Sequence, residues 1–137
     1  MFYVTYDKPK KISNSLMDKM IIFASDFLQI DGELEIYFDG EFNNDCCGYV
    51  EYEPNDNEIL MYINPSLNKK DIITTFFHEM VHVKQYLHNE LKSGIGKLPS
   101  RWKGKKYNVS YYESPWEVEA YEYEKIMSDI FKQEGFM

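Results

Sequence analysis

The stretch Asp71-Ile-Ile-Thr-Thr-Phe-Phe-His78-Glu79-Met-Val-His82-Val-Lys-Gln-Tyr-Leu87 contains the pattern His-Glu-x-x-His inside a largely apolar run. Residues four apart lie about 40° apart on a helix, one turn above each other. Two imidazoles placed this way can both bind one Zn²⁺, and Glu79 can accept a proton from a water that the metal activates. The pattern is typical of zinc hydrolases.

The alternative is a helix that carries two unrelated histidines and a surface glutamate. The flanking residues argue against it, because a run that is apolar nearly all round is typical of a central, buried helix. Two neutral histidines and a carboxylate are costly to bury without polar partners. The sequence therefore predicts that His78 and His82 bind one zinc ion per chain, with Glu79 as the general base.

Length and composition indicate one domain, residues 1–137, with 44% hydrophobic and 17% aromatic residues for its core. The net charge of −8 argues against a nucleic-acid partner, which needs clustered Lys and Arg. No apolar run is long enough for a membrane span, and the N-terminus lacks a signal-peptide layout. The adjacent Cys46 and Cys47 do not have the spacing of a zinc ribbon. We therefore expect a cytoplasmic protein.

Hydrophobic periodicity predicts three helices. They are Ser13–Leu28, capped by Ser13 or Asn14; the motif helix, from Ser66 or Asn68 to about Glu90; and a last helix from Ser114 to about Lys132. The last helix begins with a serine cap, then Pro115, then Glu117 three residues after the cap, which is the capping-box pattern.

Alternation and turn residues predict the strands. They are Phe2–Tyr6 (a strand or an arm), Glu33–Phe38, and a hairpin of Cys46–Glu53 with Glu58–Ile63. The second hairpin strand is apolar on both faces and should be central, whereas the first should be an edge strand. Gly94–Gly104 is expected to be a loop.

A catalytic zinc usually has three protein ligands. The other histidine, His88, would lie about 9 Å beyond His82 along a continuous helix, which is too far. On the wheel of the last helix, Glu119 falls within an apolar stripe and Glu117 points away from it. The stripe consists of Trp116, Ala120, Tyr123, Ile126, Met127 and Ile130. A carboxylate in such a stripe needs a partner, so Glu119 is predicted as the third ligand, with a salt bridge to Lys or Arg as the alternative.

These residues resemble the zincin metallopeptidases, and among them the gluzincins, which combine His-Glu-x-x-His with a glutamate from a later helix. His78, Glu79 and His82 match, as does the pair Glu119-Ala120. The short gap between motif and glutamate is similar to minimal single-domain gluzincins and small phage or bacterial zincins. The resemblance implies an α+β fold in which a small mixed β-sheet packs on an N-terminal helix, an active-site helix and a C-terminal ligand helix. It also implies a zinc-dependent peptidase.

The resemblance further implies where substrate binds. In zincins an extended peptide or protein segment pairs with the sheet edge next to the cleft. That edge would be Cys47, Gly48, Tyr49, Val50, Glu51 and Tyr52. The downstream histidine that helps to stabilise the oxyanion in thermolysin-like enzymes has no counterpart. The candidates for that role are Tyr107, Tyr111, Tyr112 and Arg101.

A different class of function is a non-catalytic, zinc-stabilised binding or effector module of a phage or mobile element. A purely structural site needs its ligands but not a general base. The presence of Glu79 therefore favours the enzyme.

Overall fold

The computed structural model describes residues 2–39, 42, 47–56, 58–92 and 100–137. In this part of the chain the fold is mixed α+β, with three α-helices and two small sheets. The strands are β1 (Phe2–Tyr6), β2 (Gly32–Tyr37), β3 (Gly48–Glu53), β4 (Glu58–Ile63), β5 (Leu91–Lys92), β6 (Ser100–Trp102) and β7 (Lys105–Tyr107). The helices are α1 (Asn14–Leu28), α2 (Lys69–Leu87) and α3 (Pro115–Gln133), with a 3₁₀ turn at Tyr111–Glu113.

The larger sheet has the strand order β1-β2-β4-β3. Its first three strands in that order are parallel, and β3 pairs antiparallel with β4. The predicted hairpin is therefore confirmed, with β4 central and β3 at the edge. Cys46, the predicted first residue of β3, lies outside the described residues.

The smaller sheet has the order β5-β6-β7, with antiparallel pairs. The prediction of a loop over Gly94–Gly104 is wrong for its second half, because residues 100–102 form β6. The turn between β6 and β7 uses Lys103 and Gly104, both with positive φ. The first half of the predicted loop lies outside the described residues.

Side-chain caps set where two of the helices begin. The Ser13 side chain accepts a hydrogen bond from the Leu16 amide at 3.0 Å, and Asn68 accepts one from the Asp71 amide at 2.8 Å. Helix α2 ends at Leu87, earlier than predicted, because Asn89 takes a left-handed φ of 57° and turns the chain toward β5. His88 is an exposed residue at this helix end, as expected from the sequence.

Helix α2 is the central element of the core. It contacts β3, β4, α1 and α3. One face of the larger sheet packs on the helices through alternate residues, Leu34, Ile36, Ile59, Met61 and Ile63. No helix in the described residues is both long and apolar enough to cross a bilayer.

The orientation of α3 differs from the predicted wheel. Its buried residues are Glu117, Ala120, Met127 and Phe131, whereas Ile126 is 47% exposed. The aromatic ring of Phe131 packs 5.2 Å from Phe77 and 5.3 Å from Phe23, between α2 and α1. That contact turns Glu117, rather than Glu119, toward the two histidines of α2.

Candidate metal centre

His78 and His82 lie on the side of α2 that faces α3, and both are buried. Their Nε2 atoms lie 3.0 Å and 3.2 Å from a single oxygen, Oε1 of Glu117. Three ligand atoms at about 2.0–2.1 Å from a tetrahedral zinc are separated from one another by about 3.3 Å. The spacing of Glu117 from each histidine is therefore close to that of a preformed ligand set.

The opposite nitrogen of His82 is held by a buried amide. Nδ1 of His82 lies 2.8 Å from Oε1 of Gln85, a residue with no solvent exposure. The orientation of the amide follows from its second contact: Nε2 of Gln85 donates to the Trp116 carbonyl at 2.9 Å, and a carbonyl can only accept. His82 must therefore carry a proton on Nδ1, which leaves the Nε2 lone pair of the neutral ring directed at Glu117.

His78 has an equivalent arrangement. Its Nδ1 lies 3.2 Å from Oε1 of Glu124, within ion-pair distance but too poorly aligned for a good hydrogen bond. The Tyr121 ring packs against the imidazole with centroids 4.5 Å apart. A proton on Nδ1 is favoured by the carboxylate, so the Nε2 lone pair of neutral His78 also points to Glu117.

All four ring nitrogens of the two histidines thus face acceptors, although a neutral imidazole has one N–H. Either extra protons or a cation must lie between the Nε2 atoms and Glu117. In the metal-free chain, protons can occupy this position: burial opposes the charge on His78, but its hydrogen bond with Glu117 and the nearby Glu124 carboxylate raise its pKa to about 9. The same histidines lower the pKa of Glu117 to about 2 against the effect of its burial. A metal cation would satisfy the same three groups, so the donor set fits a metal.

Glu79 lies beside these groups and differs from them in its partners. One ligand-type atom from each of His78, Glu79 and His82 lies within 4.8 Å of the others. Glu79 is 4% exposed, and its Oε2 has no hydrogen-bond partner among the described residues. Burial raises the pKa of this carboxyl. A buried carboxyl with one oxygen that lacks a hydrogen-bond partner is suited to accept and release a proton beside a candidate metal site.

The edge strand β3 comes close to Glu79 because residue 48 is glycine. A Cβ at Gly48 would lie 2.8 Å from the Tyr62 carbonyl oxygen and 2.9 Å from Cγ2 of Thr75, which real side chains do not tolerate. It would also lie 3.4 Å from Cγ of Glu79. Gly48 therefore allows α2 to pack directly under the start of β3.

Two clefts flank the site. The His82 cleft, of about 200 Å³, is lined by Gly48, Tyr49, Val50, Glu79, His82, Tyr86, Leu91, Ser100, Tyr111, Trp116 and Glu117. The His78 cleft, of about 690 Å³, is lined by Cys47, Gly48, Tyr49, Asp71, Thr74, Thr75, His78, Glu79, Tyr111, Tyr112, Tyr121 and Glu124. They share Gly48, Tyr49, Glu79 and Tyr111, so the two clefts adjoin at Glu79.

The candidate oxyanion stabilisers are placed differently from one another. Tyr111 lines both clefts, and its hydroxyl lies 3.4 Å from that of Tyr121. Tyr112 lines the His78 cleft only. Tyr107 packs edge-on to the Trp116 ring at 6.2 Å, and Arg101 is an exposed residue of β6. Neither of these last two residues lines the clefts.

Glu119 is not brought to the histidines. Its Oε1 accepts a hydrogen bond from Nζ of Lys84 at 2.8 Å and lies 3.3 Å from Nε2 of Gln85. This corrects the sequence-based choice of the third ligand: Glu119 makes the salt bridge that was its alternative, and Glu117 faces the histidines. The capping box is also absent, because the Ser114 hydroxyl donates to the Ser110 carbonyl instead.

Sequence reasoning missed Glu117, Gln85, Glu124 and Tyr121. A signal for two of them was present. A wheel centred on Ala120, Met127 and Phe131 places Glu117 and Glu124 on the same face, at steps of three and four residues. Nothing else in the sequence distinguished Gln85, which lies about one turn after His82 in an apolar run.

Comparison of the chain with protein-family models, with curated protein sequences and with solved structures finds no match. The chemistry of the site is therefore inferred from its own side chains. These are two imidazoles, the carboxylate that they share, and the buried carboxylate of Glu79.

Proposed function

We propose that the chain is a zinc-dependent peptidase with a zincin-like site, in which His78, His82 and Glu117 hold the metal. One observation carries this proposal: both Nε2 atoms converge on one oxygen of Glu117, at 3.0 Å and 3.2 Å, while Gln85 and Glu124 occupy the Nδ1 side. Two histidines and one glutamate are a ligand set of catalytic rather than structural zinc, because they leave one position open.

A zinc ion in such a site acts as a Lewis acid, which lowers the pKa of a water and polarises a carbonyl. The protein supplies the proton transfers. Glu79 is buried beside the histidines, and its free Oε2 can accept a proton from the attacking water. The same carboxyl then donates that proton to the leaving amine, as a general base that becomes a general acid.

Tyr111 is the candidate best placed to stabilise the developing oxyanion. It lines both clefts where they meet at Glu79. Burial, the hydrogen bond with Tyr121 and the nearby Glu117 all raise the pKa of Tyr111, so its hydroxyl keeps its proton at neutral pH. A hydroxyl donor where the two clefts meet favours negative charge on an oxygen that forms next to it.

The edge strand β3 supports a peptide substrate in extended form. The Asn64 amide donates to the Cys47 carbonyl at 2.8 Å, which makes this a hydrogen-bonded pair of the antiparallel ladder. Such pairs alternate, so the backbone groups of Val50 and Tyr52 point away from β4. A peptide strand can add to that side, and Glu79 lines the same cleft as Gly48, Tyr49 and Val50 of β3.

The proposal is tested with the purified chain. We expect one zinc per chain by metal analysis, and cleavage of a peptide library that stops on chelation and returns with added zinc. Glu79→Gln should bind zinc normally and lose turnover by about 10²–10⁴-fold. The matched control is Glu122→Gln on the exposed side of α3, which should cleave normally.

Two results would contradict the proposal. Cleavage that survives in Glu79→Gln would remove the general base from the mechanism. Full zinc occupancy with no cleavage of any library peptide would favour the zinc-stabilised binding module instead.

A further inference from the structure

The residues that line the His78 cleft carry an excess of negative charge. Among the described residues that line it, Asp71, Glu79 and Glu124 are acidic and none is a lysine or arginine. A zinc ion of charge +2 is offset by Glu117 and Glu79. Asp71 and Glu124 are then left as net negative charge, and Asp71 makes no ion pair with a described residue.

The rim of the same cleft consists of tyrosines that are unusually exposed for aromatic residues. Tyr112 is 77% exposed, Tyr111 52% and Tyr121 43%. Exposed aromatic side chains gathered at one cleft are typical of binding surfaces. Tyrosine rings attract cations to their faces and also pack on aliphatic stems. These rings and the two carboxylates together match a long side chain with a cationic end.

The cleft is continuous with the proposed catalytic groups. Glu79 is 4% exposed, and its Oε2 is without a hydrogen-bond partner in the described part of the chain. His78 and Glu79 line the same cleft, so an occupant lies against the reacting groups rather than at a remote surface.

The His82 cleft, on the other side of Glu79, has a different character. It is smaller, and away from the shared residues and the proposed ligands it is lined by Val50, Leu91, Trp116 and Tyr86, which are apolar or aromatic, and by Ser100. Its carboxylates, Glu79 and Glu117, both belong to the metal site. A peptide that follows β3 from Cys47 to Val50 passes from the acidic cleft to the apolar one, so the two sides of the scissile bond face different chemistry.

We propose that the His78 cleft binds a lysine or arginine side chain of the substrate, on one side of the scissile bond. The inference rests on the proposed peptidase function, and it names the substrate class for that site. The cationic end lies near Asp71 and Glu124, and its stem packs on the tyrosines. A residue with a carboxylate at the same position is repelled by the same charges.

The test uses hexapeptides that differ at a single scanned position, with lysine, norleucine or glutamate there. Norleucine keeps the stem and removes the charge. We expect kcat/KM about tenfold higher for lysine than for norleucine at one position, and lowest for glutamate, which is the size expected of a partly exposed ion pair with cation–π support. Binding of the same peptides to zinc-loaded Glu79→Gln, measured by fluorescence anisotropy, gives a readout that needs no turnover.

Asp71→Lys is the decisive variant, because Asp71 is exposed, lines the cleft and is not one of the carboxylates that pair with the histidines. It should reduce the lysine preference to about twofold or less. Asp129→Lys makes the same charge change on an exposed position of α3 that lines neither cleft, and should keep the full preference. Asp71 is the acidic residue in the first turn of α2, so replacing it can lower the stability of that helix. Thermal melting of both variants measures this loss.

The outcomes separate this inference from the peptidase proposal. Cleavage without a basic preference, or with a preference that Asp71→Lys leaves intact, overturns the inference and leaves the peptidase standing. Absence of cleavage together with tighter lysine-peptide binding to Glu79→Gln supports the cleft and overturns the peptidase. Absence of cleavage with equal binding of the three peptides overturns both.

Discussion

Oε1 of Gln85 lies 2.8 Å from Nδ1 of His82, and this contact determines which nitrogen of the ring is free to bind a metal. Because the Gln85 amide also donates to the Trp116 carbonyl, it cannot rotate to offer its nitrogen to the histidine. Gln85→Leu removes the acceptor and keeps a similar volume. We expect zinc affinity to fall by about 10–100-fold, the usual effect of losing such an outer partner.

Competition with a fluorescent chelator would measure this loss. Gln133→Leu, an exposed position at the end of α3, is the control and should keep full affinity. If Gln85→Leu folds and binds zinc as tightly as the original chain, the histidine is oriented by something other than this amide.

The pair Glu117→Ala and Glu119→Ala distinguishes the two glutamates of α3. Glu117 shares its Oε1 with both histidines, whereas Glu119 pairs with Lys84. We expect Glu117→Ala to lose zinc on dialysis, with a larger effect than that of the Gln85 variant. Glu119→Ala should retain one zinc per chain with a modest loss of stability. Retention of zinc by Glu117→Ala, with loss in Glu119→Ala, would restore the sequence-based choice.

Val50→Pro tests the edge strand. The register directs the Val50 amide away from β4, so proline removes a donor from the open edge without breaking the ladder to β4. We expect peptide affinity to fall about five- to tenfold, the effect of about one lost hydrogen bond, with zinc binding unchanged. Val50→Ala keeps the donor and controls for the lost side chain. Equal peptide affinity in the proline and alanine variants would exclude pairing at this amide.

The histidine cluster predicts a particular pH dependence for the metal-free chain. The pKa of His78 is raised to about 9, so its contribution to stability is complete below its ordinary value of 6.5 and is lost as pH rises through about 9. The pKa of Glu117 is lowered to about 2, so its contribution is complete above its ordinary value of 4.5 and is lost as pH falls toward about 2. For these two groups, the metal-free chain should be most stable between about pH 4.5 and 6.5.

Zinc must displace the same protons, so its affinity should continue to rise up to about pH 9 instead of levelling off near 6.5. Thermal melts with and without zinc at about pH 6, 7.5 and 9 measure how zinc affinity changes with pH. The gain in Tm on adding zinc should increase at each step. A gain that is constant over this range would show that His78 does not hold a proton in the metal-free chain.

Much of the local structure followed from sequence because its causes are local. The serine and asparagine caps, the polar turn between β3 and β4, and the alternation of β2 each depend on residues within a few positions of one another. The burial of α2 also followed, because a helix that is apolar on all sides must be enclosed. The placement of His78 and His82 on one helix face also has a local cause, because it depends only on their separation of four residues.

The structure of the second half of the predicted loop and the position at which α2 ends could not be predicted from the sequence. Strands β5, β6 and β7 are two or three residues long, and their pairing is a property of the sheet rather than of any one segment. The early end of α2 depends on Asn89, whose left-handed backbone allows the chain to reach β5. Neither the pairing of these short strands nor the early end of α2 produces a hydrophobic periodicity within a single segment.

By itself, the sequence determined that His78 and His82 share one face of a buried helix with Glu79 at its rim, because a helix places residues three and four apart together wherever it packs. Which glutamate meets them was decided only by the tertiary structure. Glu117 and Glu119 stand on the same helix, two residues and about 200° apart, and both have polar partners available. The packing of Phe131 between Phe23 and Phe77 fixes the rotation of α3, turning Glu117 toward the histidines and leaving Glu119 to Lys84.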